Sequence, residues 1–495
     1  MDESVFYISQ GDPADKSSQS SLAHASSIHT SHHHISFRQA DSPSNGAYLT
    51  GFGPGERLFT CSATKALITV YSWGKEAPEQ RIPIPEALSC LTVIDHPQTG
   101  KFSTVPRFRI PWLLAGGSKT GKIYIWELSS GDLVCVKEGH YQGITNIRFD
   151  RGGSFLVTSG QDGRCIVWNT ADLVKKVKSE DGGVKPFYQI TDNTLPITDM
   201  VISGGGNDLR LYTCSKDNTV RVYDIMTKQL LTTFILSNPV DSLTLDPANR
   251  AIYAGLENGQ IRSIPLYNIN PNTGVLESIG GMNKIITVEN DPNLKHTFVQ
   301  HRSDEEGSMI SVTKLSISLD GTSIISGDSK GRVFVSDIVT KQVIKAFTPC
   351  PNNSPISYLA VATIPGDSAT GLGAKNLDKK HRMIPQFKRV LASNDPVDHQ
   401  LFLDIPGDVQ QGEDDSFENW LKEKQNEELE FRNLSGVAST VKQLGGTTSS
   451  GDNSKVVDLE EKLKKVADAY SELRNKHELL IKDHAKLLDS IDSKE

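Results

Sequence analysis

Asp162-Gly163-Arg164-Cys165-Ile166-Val167-Trp168, preceded by Ser154-Phe155-Leu156-Val157-Thr158-Ser159, reads as a strand, a tight polar turn and a second strand. It decides the fold because it recurs. The second strand returns as Gly121-Lys122-Ile123-Tyr124-Ile125-Trp126, Asp217-Asn218-Thr219-Val220-Arg221-Val222-Tyr223, Asn258-Gly259-Gln260-Ile261-Arg262-Ser263-Ile264 and Lys330-Gly331-Arg332-Val333-Phe334-Val335-Ser336, with a weaker copy ending Ile68-Thr69-Val70-Tyr71. Copies ending at Trp126 and Trp168 lie 42 residues apart, and those ending at Tyr223 and Ile264 lie 41 apart. Wider gaps of 55 and 72 residues are the same period with a loop inserted. A period of roughly 40 to 45 residues is that of a four-stranded propeller blade.

Six copies are visible. Val5-Phe6-Tyr7-Ile8 and Ile356-Ser357-Tyr358-Leu359-Ala360-Val361 are strand-like stretches at opposite ends of the repeats. Pairing them predicts a seventh blade that closes the ring and leaves no long unpaired edge. Arg389-Val390-Leu391 is a further strand-like stretch assigned to that blade. The expected domain is a seven-bladed β-propeller over 1–365, with a Ser- and His-rich loop at 11–34 and a polar insertion at 268–308. An irregular extension follows over 366–444, then a Gly/Ser-rich linker over 445–454 and a helix over 455–495.

The terminal segment has the most regular pattern in the chain. Val456, Leu459, Leu463, Val466, Tyr470, Leu473, His477, Leu480, His484, Leu487 and Ile491 follow one another in steps of three and four. That is a heptad seam, and it predicts a coiled-coil helix that pairs two copies of the chain. Charges flanking the seam form no complementary series, so parallel and antiparallel pairing are both open.

Composition removes several functions. Lys and Arg number 52 against 60 Asp and Glu, a net charge of −8, which is not the footprint of a protein that wraps bare nucleic acid. No window approaches the roughly 18 to 20 apolar residues of a membrane helix, so no membrane partner is expected. Six scattered cysteines without a Cys-x-x-Cys pair, and a start without a secretory pattern, predict a reducing compartment, cytosol or nucleus.

The candidate chemical sites are weak. Gly116-Gly117-Ser118-Lys119-Thr120-Gly121-Lys122 has phosphate-loop glycines, but Ile123 stands where the Mg²⁺-binding hydroxyl is required and the run joins two strands. A hairpin turn is the better reading. His24, His29, His32, His33 and His34 lack cysteine or carboxylate partners at metal-ligand spacing and read as loop. No nucleophile, paired carboxylates or cofactor fingerprint stands out, so neither an enzyme nor a bound cofactor is expected. Lys379-Lys380-His381-Arg382 and Lys388-Arg389 suit rRNA contact or nuclear import as well as a solvated loop. Phe417, Trp420 and Leu421, after acidic Glu413-Asp414-Asp415, suit docking into a partner's groove or packing back on the propeller.

The repeats resemble the WD-repeat family, and the copy ending at Trp168 carries its pattern most fully, with Gly139-His140, Ser159, Asp162 and Trp168. The resemblance implies that His140, Ser159, Asp162 and Trp168 hydrogen-bond in series as a structural tetrad. The next copy departs from it, with Asn193 for the His and Tyr223 for the Trp. A narrower resemblance rests on Glu79-Gln80-Arg81-Ile82-Pro83-Ile84-Pro85-Glu86, Gly121-Lys122-Ile123-Tyr124-Ile125-Trp126-Glu127-Leu128, Thr194-Leu195-Pro196-Ile197-Thr198-Asp199, Leu245-Asp246-Pro247-Ala248, Met383-Ile384-Pro385 and Ala469-Tyr470-Ser471-Glu472-Leu473-Arg474. These segments are similar to the WD-repeat pre-rRNA-processing subunits of the fungal Rix complex. That resemblance implies a non-enzymatic nuclear scaffold partnered by the other Rix subunits, pre-60S ribosomal particles and the AAA ATPase midasin. It implies action in removal of the second internal transcribed spacer and in pre-60S remodelling. The competing readings are a factor that binds pre-rRNA directly and a substrate adaptor of a ubiquitin ligase.

Overall fold

The computed structural model describes residues 2–11, 21–30, 32–53, 56–95, 110–175, 184–203, 209–270, 274–288, 293–301, 310–347, 353–364, 383–391, 424 and 476–477. The chain divides into a unit over Met1–Asp404 and a unit over Ile405–Glu495. In the second unit the described residues are Lys424, Lys476 and His477, all helical. The other ten seam positions, the 445–454 linker, Phe417, Trp420, Leu421 and the basic run at 379–382 lie outside the described residues. His477 is exposed in the single chain.

The first unit is all-β apart from one short helix among its described residues. It opens with β1 (Asp2–Ser9), β2 (Ser21–Ser27) and β3 (His33–Arg38). Six blades follow in chain order. Blade I is β4 (Ala47–Leu49), β5 (Arg57–Cys61), β6 (Leu67–Ser72) and β7 (Gln80–Pro83); blade II is β8 (Leu88–Ile94), β9 (Leu113–Ser118), β10 (Lys122–Glu127) and β11 (Leu133–Glu138). Blade III is β12 (Ile144–Phe149), β13 (Phe155–Gly160), β14 (Cys165–Asn169) and, after α1 (Thr170–Val174), β15 (Tyr188–Ile190). Blade IV is β16 (Ile197–Ser203), β17 (Arg210–Ser215), β18 (Thr219–Asp224) and β19 (Gln229–Ile235).

Blade V takes β20 (Val240–Leu245), β21 (Ala251–Leu256) and β22 (Ile261–Pro265) before the chain detours. The detour is a hairpin, β23 (Tyr267–Ile269) with β24 (Leu276–Ser278), then β25 (Lys284–Thr287), which adds in parallel to the outer edge of blade IV. Only then does β26 (Thr297–Phe298) supply blade V's fourth strand. The 268–308 stretch expected to be a plain insertion therefore contains strands of two blades. Blade VI is β27 (Val312–Ile317), β28 (Ser323–Asp328), β29 (Val333–Asp337) and β30 (Val343–Phe347). Last, β31 (Ile356–Ile364) pairs antiparallel with β1, giving blade VII the order β3-β2-β1-β31. The ring of seven is closed by both ends of the repeat region.

Two expectations about blade VII are corrected. The His-rich stretch is not a loop: residues 21–27 and 33–38 are its strands β2 and β3. They form strands because Leu22, Ala23, Ala25 and Phe37 are buried, while His33 Nδ1 meets Ser26 Oγ at 3.3 Å and His34 Nε2 meets Ser4 Oγ at 3.0 Å across the sheet. The 389–391 stretch does not join blade VII. Leu391 bridges Leu133 on blade II.

Residues 383–391 strap blades I and II instead. Ile384 exchanges two hydrogen bonds with the Gln80 side chain, and Lys388 N donates to Gly131 O at 2.8 Å. Phe387 stacks on Trp126 at 5.6 Å between ring centres, Tyr124 also stacks with the indole, and Trp126 Nε1 donates to Lys388 O. Lys388 Nζ pairs with Asp132 at 2.6 Å, so this cation of the candidate basic cluster is engaged in holding the strap.

The apolar core is a ring. Among the described residues, buried hydrophobic side chains form seven clusters, one at each blade interface. Strand alternation explains the division. Ile166 and Trp168 of β14 face blade II, whereas Cys165 and Val167 face blade IV. Both faces of a blade are covered, so its central strands read as continuous apolar runs.

A polar belt reinforces the ring from within. In β8, β12, β16, β20 and β27 the register shifts after the first residue, at the motifs Leu88-Ser89, Ile144-Thr145, Ile197-Thr198, Val240-Asp241 and Val312-Thr313. Hydroxyls at these bulges reach the next blade. Ser89 Oγ donates to Ile144 O at 2.6 Å, Thr145 Oγ1 to Ile197 O at 2.8 Å, Thr198 Oγ1 to Val240 O at 2.6 Å and Ser242 Oγ to Val312 O at 2.8 Å. No helix among the described residues is long and apolar enough to cross a membrane.

Candidate binding site in the central channel

The residues singled out from the sequence are placed first. In blade III, His140 Nδ1 lies 3.0 Å from Asp162 Oδ1, and its Nε2 lies 2.9 Å from Thr158 Oγ1. Trp168 Nε1 donates to the same Thr158 oxygen at 3.2 Å. Because the carboxylate only accepts, His140 Nδ1–H donates to Asp162, and Thr158 Oγ1, which accepts from the indole N–H, links the imidazole to Trp168. Burial pushes the Asp162 carboxyl up, but hydrogen bonds from His140, Arg164 N and Tyr141 N outweigh it and hold the group below its usual range.

Ser159, expected as the tetrad hydroxyl, is not part of this series. Thr158 takes that place because strand side chains alternate: Thr158 shares a face with Trp168, and Ser159 points to the other, where its Oγ meets Thr145 Oγ1 at 3.0 Å. The structure also shows a series that sequence reasoning missed. In blade VI, His301 Nδ1 lies 3.1 Å from Asp328 and its Nε2 2.7 Å from Ser326 Oγ, with the Phe334 ring against the imidazole. Its histidine comes from the end of the insertion, and the strand position matching Trp168 is Ser336. The available signal was the triplet Ser326-Gly327-Asp328. In blade IV, Asn193 accepts from Arg221, which also pairs with Asp217 at 3.0 Å.

The glycine-rich run at 116–122 is the hairpin of β9 and β10. Gly121 has φ +87°, and a Cβ there would lie 2.1 Å from His140 O, so both the turn and its neighbour require glycine. Lys122 Nζ faces Glu138 at 3.8 Å. His24 and His33 are pushed down chiefly by burial, and their rings lie 5.7 Å apart. No group of three His, Cys, Asp or Glu side chains among the described residues is placed to hold a metal ion.

A further group of polar side chains lies in the channel lined by the innermost strands of the blades. A cavity of about 590 Å³ there is walled by Asn45, Asn146, Arg148, Asp199, Lys314 and Tyr358, with Glu56, Arg57, Asp95 and Arg151 also on its lining. Asn45, at φ 64° in the turn before β4, ties the blades together. Its N–H donates to Ser357 O, its carbonyl accepts from Leu91 N, its Nδ2 donates to Thr145 O, and its Oδ1 accepts from Lys314 Nζ. Asp199 anchors the opposite wall, accepting from Asn146 Nδ2 at 2.7 Å, Arg148 Nη2 at 3.2 Å, Met200 N at 2.9 Å and Leu243 N at 3.2 Å. The lining mixes the donors Asn146, Arg148 and Lys314 with the carboxylates Asp199, Glu56, Asp95 and Asp150, of which Asp199 is filled by four donors.

A family model described as WD domain, G-beta repeat matches residues 131–169 and 185–224. Each match starts near the outer strand of one blade and ends in the third strand of the next. Over the whole chain, the sequence is 59% identical to the pre-rRNA-processing protein IPI3 of Candida albicans, covering 99% of this chain and 100% of the relative. The chain belongs to the pre-rRNA-processing protein IPI3 family. The IPI3 of Scheffersomyces stipitis is 54% identical over 99% of this chain and 100% of its own length. That of Saccharomyces cerevisiae is 30% identical over 94% and 97%.

Proposed function

We propose that this chain is a non-catalytic scaffold in pre-rRNA processing. The observation that carries the reading is full-length similarity to IPI3 proteins, named as pre-rRNA-processing factors, in a chain whose histidine–carboxylate pairs each stabilise a blade. On this reading the propeller presents rigid faces to the other Rix-complex subunits, and the assembly acts in the nucleus on pre-60S particles with midasin, during removal of the second internal transcribed spacer. The heptad over 456–491 pairs two copies, doubling each face.

Affinity purification at native expression level tests the reading. Ribosomal large-subunit precursors and a small set of stoichiometric protein partners are expected; ubiquitin-ligase subunits in their place overturn it. Direct RNA reading is the alternative, favoured by the basic run at 379–382. The two separate by salt dependence: phosphate neutralisation gives a steep fall of log K with log salt, and protein docking a shallow one.

A further inference from the structure

Lys314 is a buried cation with few partners. It sits on the inner strand β27 and is 7% exposed, and among the described residues its ammonium has a single hydrogen-bond acceptor, Asn45 Oδ1 at 2.5 Å. An ammonium brings three N–H donors. Asp199, the carboxylate across the cavity, is already filled by four donors and makes no ion pair with it. Burial lowers the Lys314 pKa, Asp199 opposes that shift, and Arg148 adds to it. A buried, under-bonded cation is costly to keep, and an apolar side chain of similar length would be cheaper.

We propose that the central channel binds a compact oxyanion, a phosphate or carboxylate group, with buried Lys314 and half-buried Arg148 as its principal donors. Arg148 spends one guanidinium nitrogen on Asp199 and lines the same cavity, and a guanidinium fork matches either anion. Arg57 and Arg151 add positive charge to the lining. Of the acidic residues on it, Asp150 is occupied by the backbone of its own turn, through Gly152 N and Phe155 N, and Glu56 accepts from Thr50 Oγ1 at 2.6 Å. Glu56 and Asp95 therefore limit the site to a small anion: a long polyanion would meet them. A volume of about 590 Å³ holds such a group with its ordered water.

Titration calorimetry on the full chain, in low-salt chloride buffer, tests this with sodium phosphate, pyrophosphate and citrate. Saturable binding of one anion per chain is expected for at least one of the three, weakened tenfold or more in Lys314→Met. Tighter phosphate or pyrophosphate assigns the site to a phosphoryl group, and tighter citrate to a carboxylate. Without anion, Lys314→Met should melt no lower than the wild type, which a purely structural lysine would not allow. No saturable binding by the wild type overturns the proposal, as does equal binding by Lys314→Met. Should that variant not fold, Arg148→Gln takes its place with the same two outcomes.

Discussion

At the scale of single residues, the choice between Thr158 and Ser159 is the sharpest. Both are fully buried, but Thr158 Oγ1 holds His140 and Trp168 together, whereas Ser159 Oγ meets the side chain of Thr145 among the described residues. Thr158→Val preserves shape and leaves two buried donors or acceptors unpaired, for a cost of roughly 2 to 3 kcal/mol. Ser159→Ala should cost about 1 kcal/mol or less. Urea melts of the two variants check the order. The residues of blade III that carry the family pattern were readable in the sequence, but adjacent Thr and Ser made the hydroxyl ambiguous until strand pairing fixed which one faces the indole.

Asp328 gives a pH prediction of the same kind. Burial pushes its carboxyl up, but His301 and the backbone and side chain of Arg332 hold it below the usual carboxylate range. A carboxyl lowered by folding stabilises the protein above its unfolded pKa of about 3.9, and that contribution is lost as pH falls through the folded value. Thermal melts between pH 7 and pH 3 should therefore show an acid decline that is shallower in Asp328→Asn. An unchanged acid limb in the variant would remove Asp328 from the account.

At the scale of elements, the strap over 383–391 and the hydroxyl belt make separable predictions. Phe387 is buried against Trp126, so Phe387→Ala should cost on the order of 3 to 5 kcal/mol and admit water to the indole. A red shift in tryptophan emission at temperatures where the propeller remains folded is the check. Thr198→Val removes the 2.6 Å bond to Val240 O and leaves that blade's hydrophobic packing intact, for about 1 kcal/mol. The third strand of blades II to VI was plain in the sequence, because a Gly or Asn turn precedes each run. The strands β2, β3 and β26 were not. The first two are built from Ala, Ser and His, whose polar atoms are satisfied only by pairing across the sheet, and β26 is two residues long after a detour of about thirty. The channel site was also hidden: Asn45, Asp199 and Lys314 are separated by more than a hundred residues at each step and meet only because the ring closes.

At the scale of the whole molecule, closure by β1 and β31 makes the first unit one cooperative object. Deleting residues 2–9 would strip β31 of its strand partner and leave the apolar faces against blades VI and I half covered. Such a chain should elute as aggregate and lose its cooperative thermal transition. The heptad is tested independently: sedimentation of the full chain at micromolar concentration should give a dimer, and Leu473→Glu with Leu480→Glu a monomer with an unchanged propeller melt. The central claim, a scaffold whose work is processing of ribosomal RNA, is tested most directly in cells depleted of the chain, by hybridising total RNA with a probe to the second internal transcribed spacer. The account predicts accumulation of precursors retaining that spacer, reversed by the wild-type chain and by the Lys122→Ala variant alike. A normal precursor profile after depletion would contradict it.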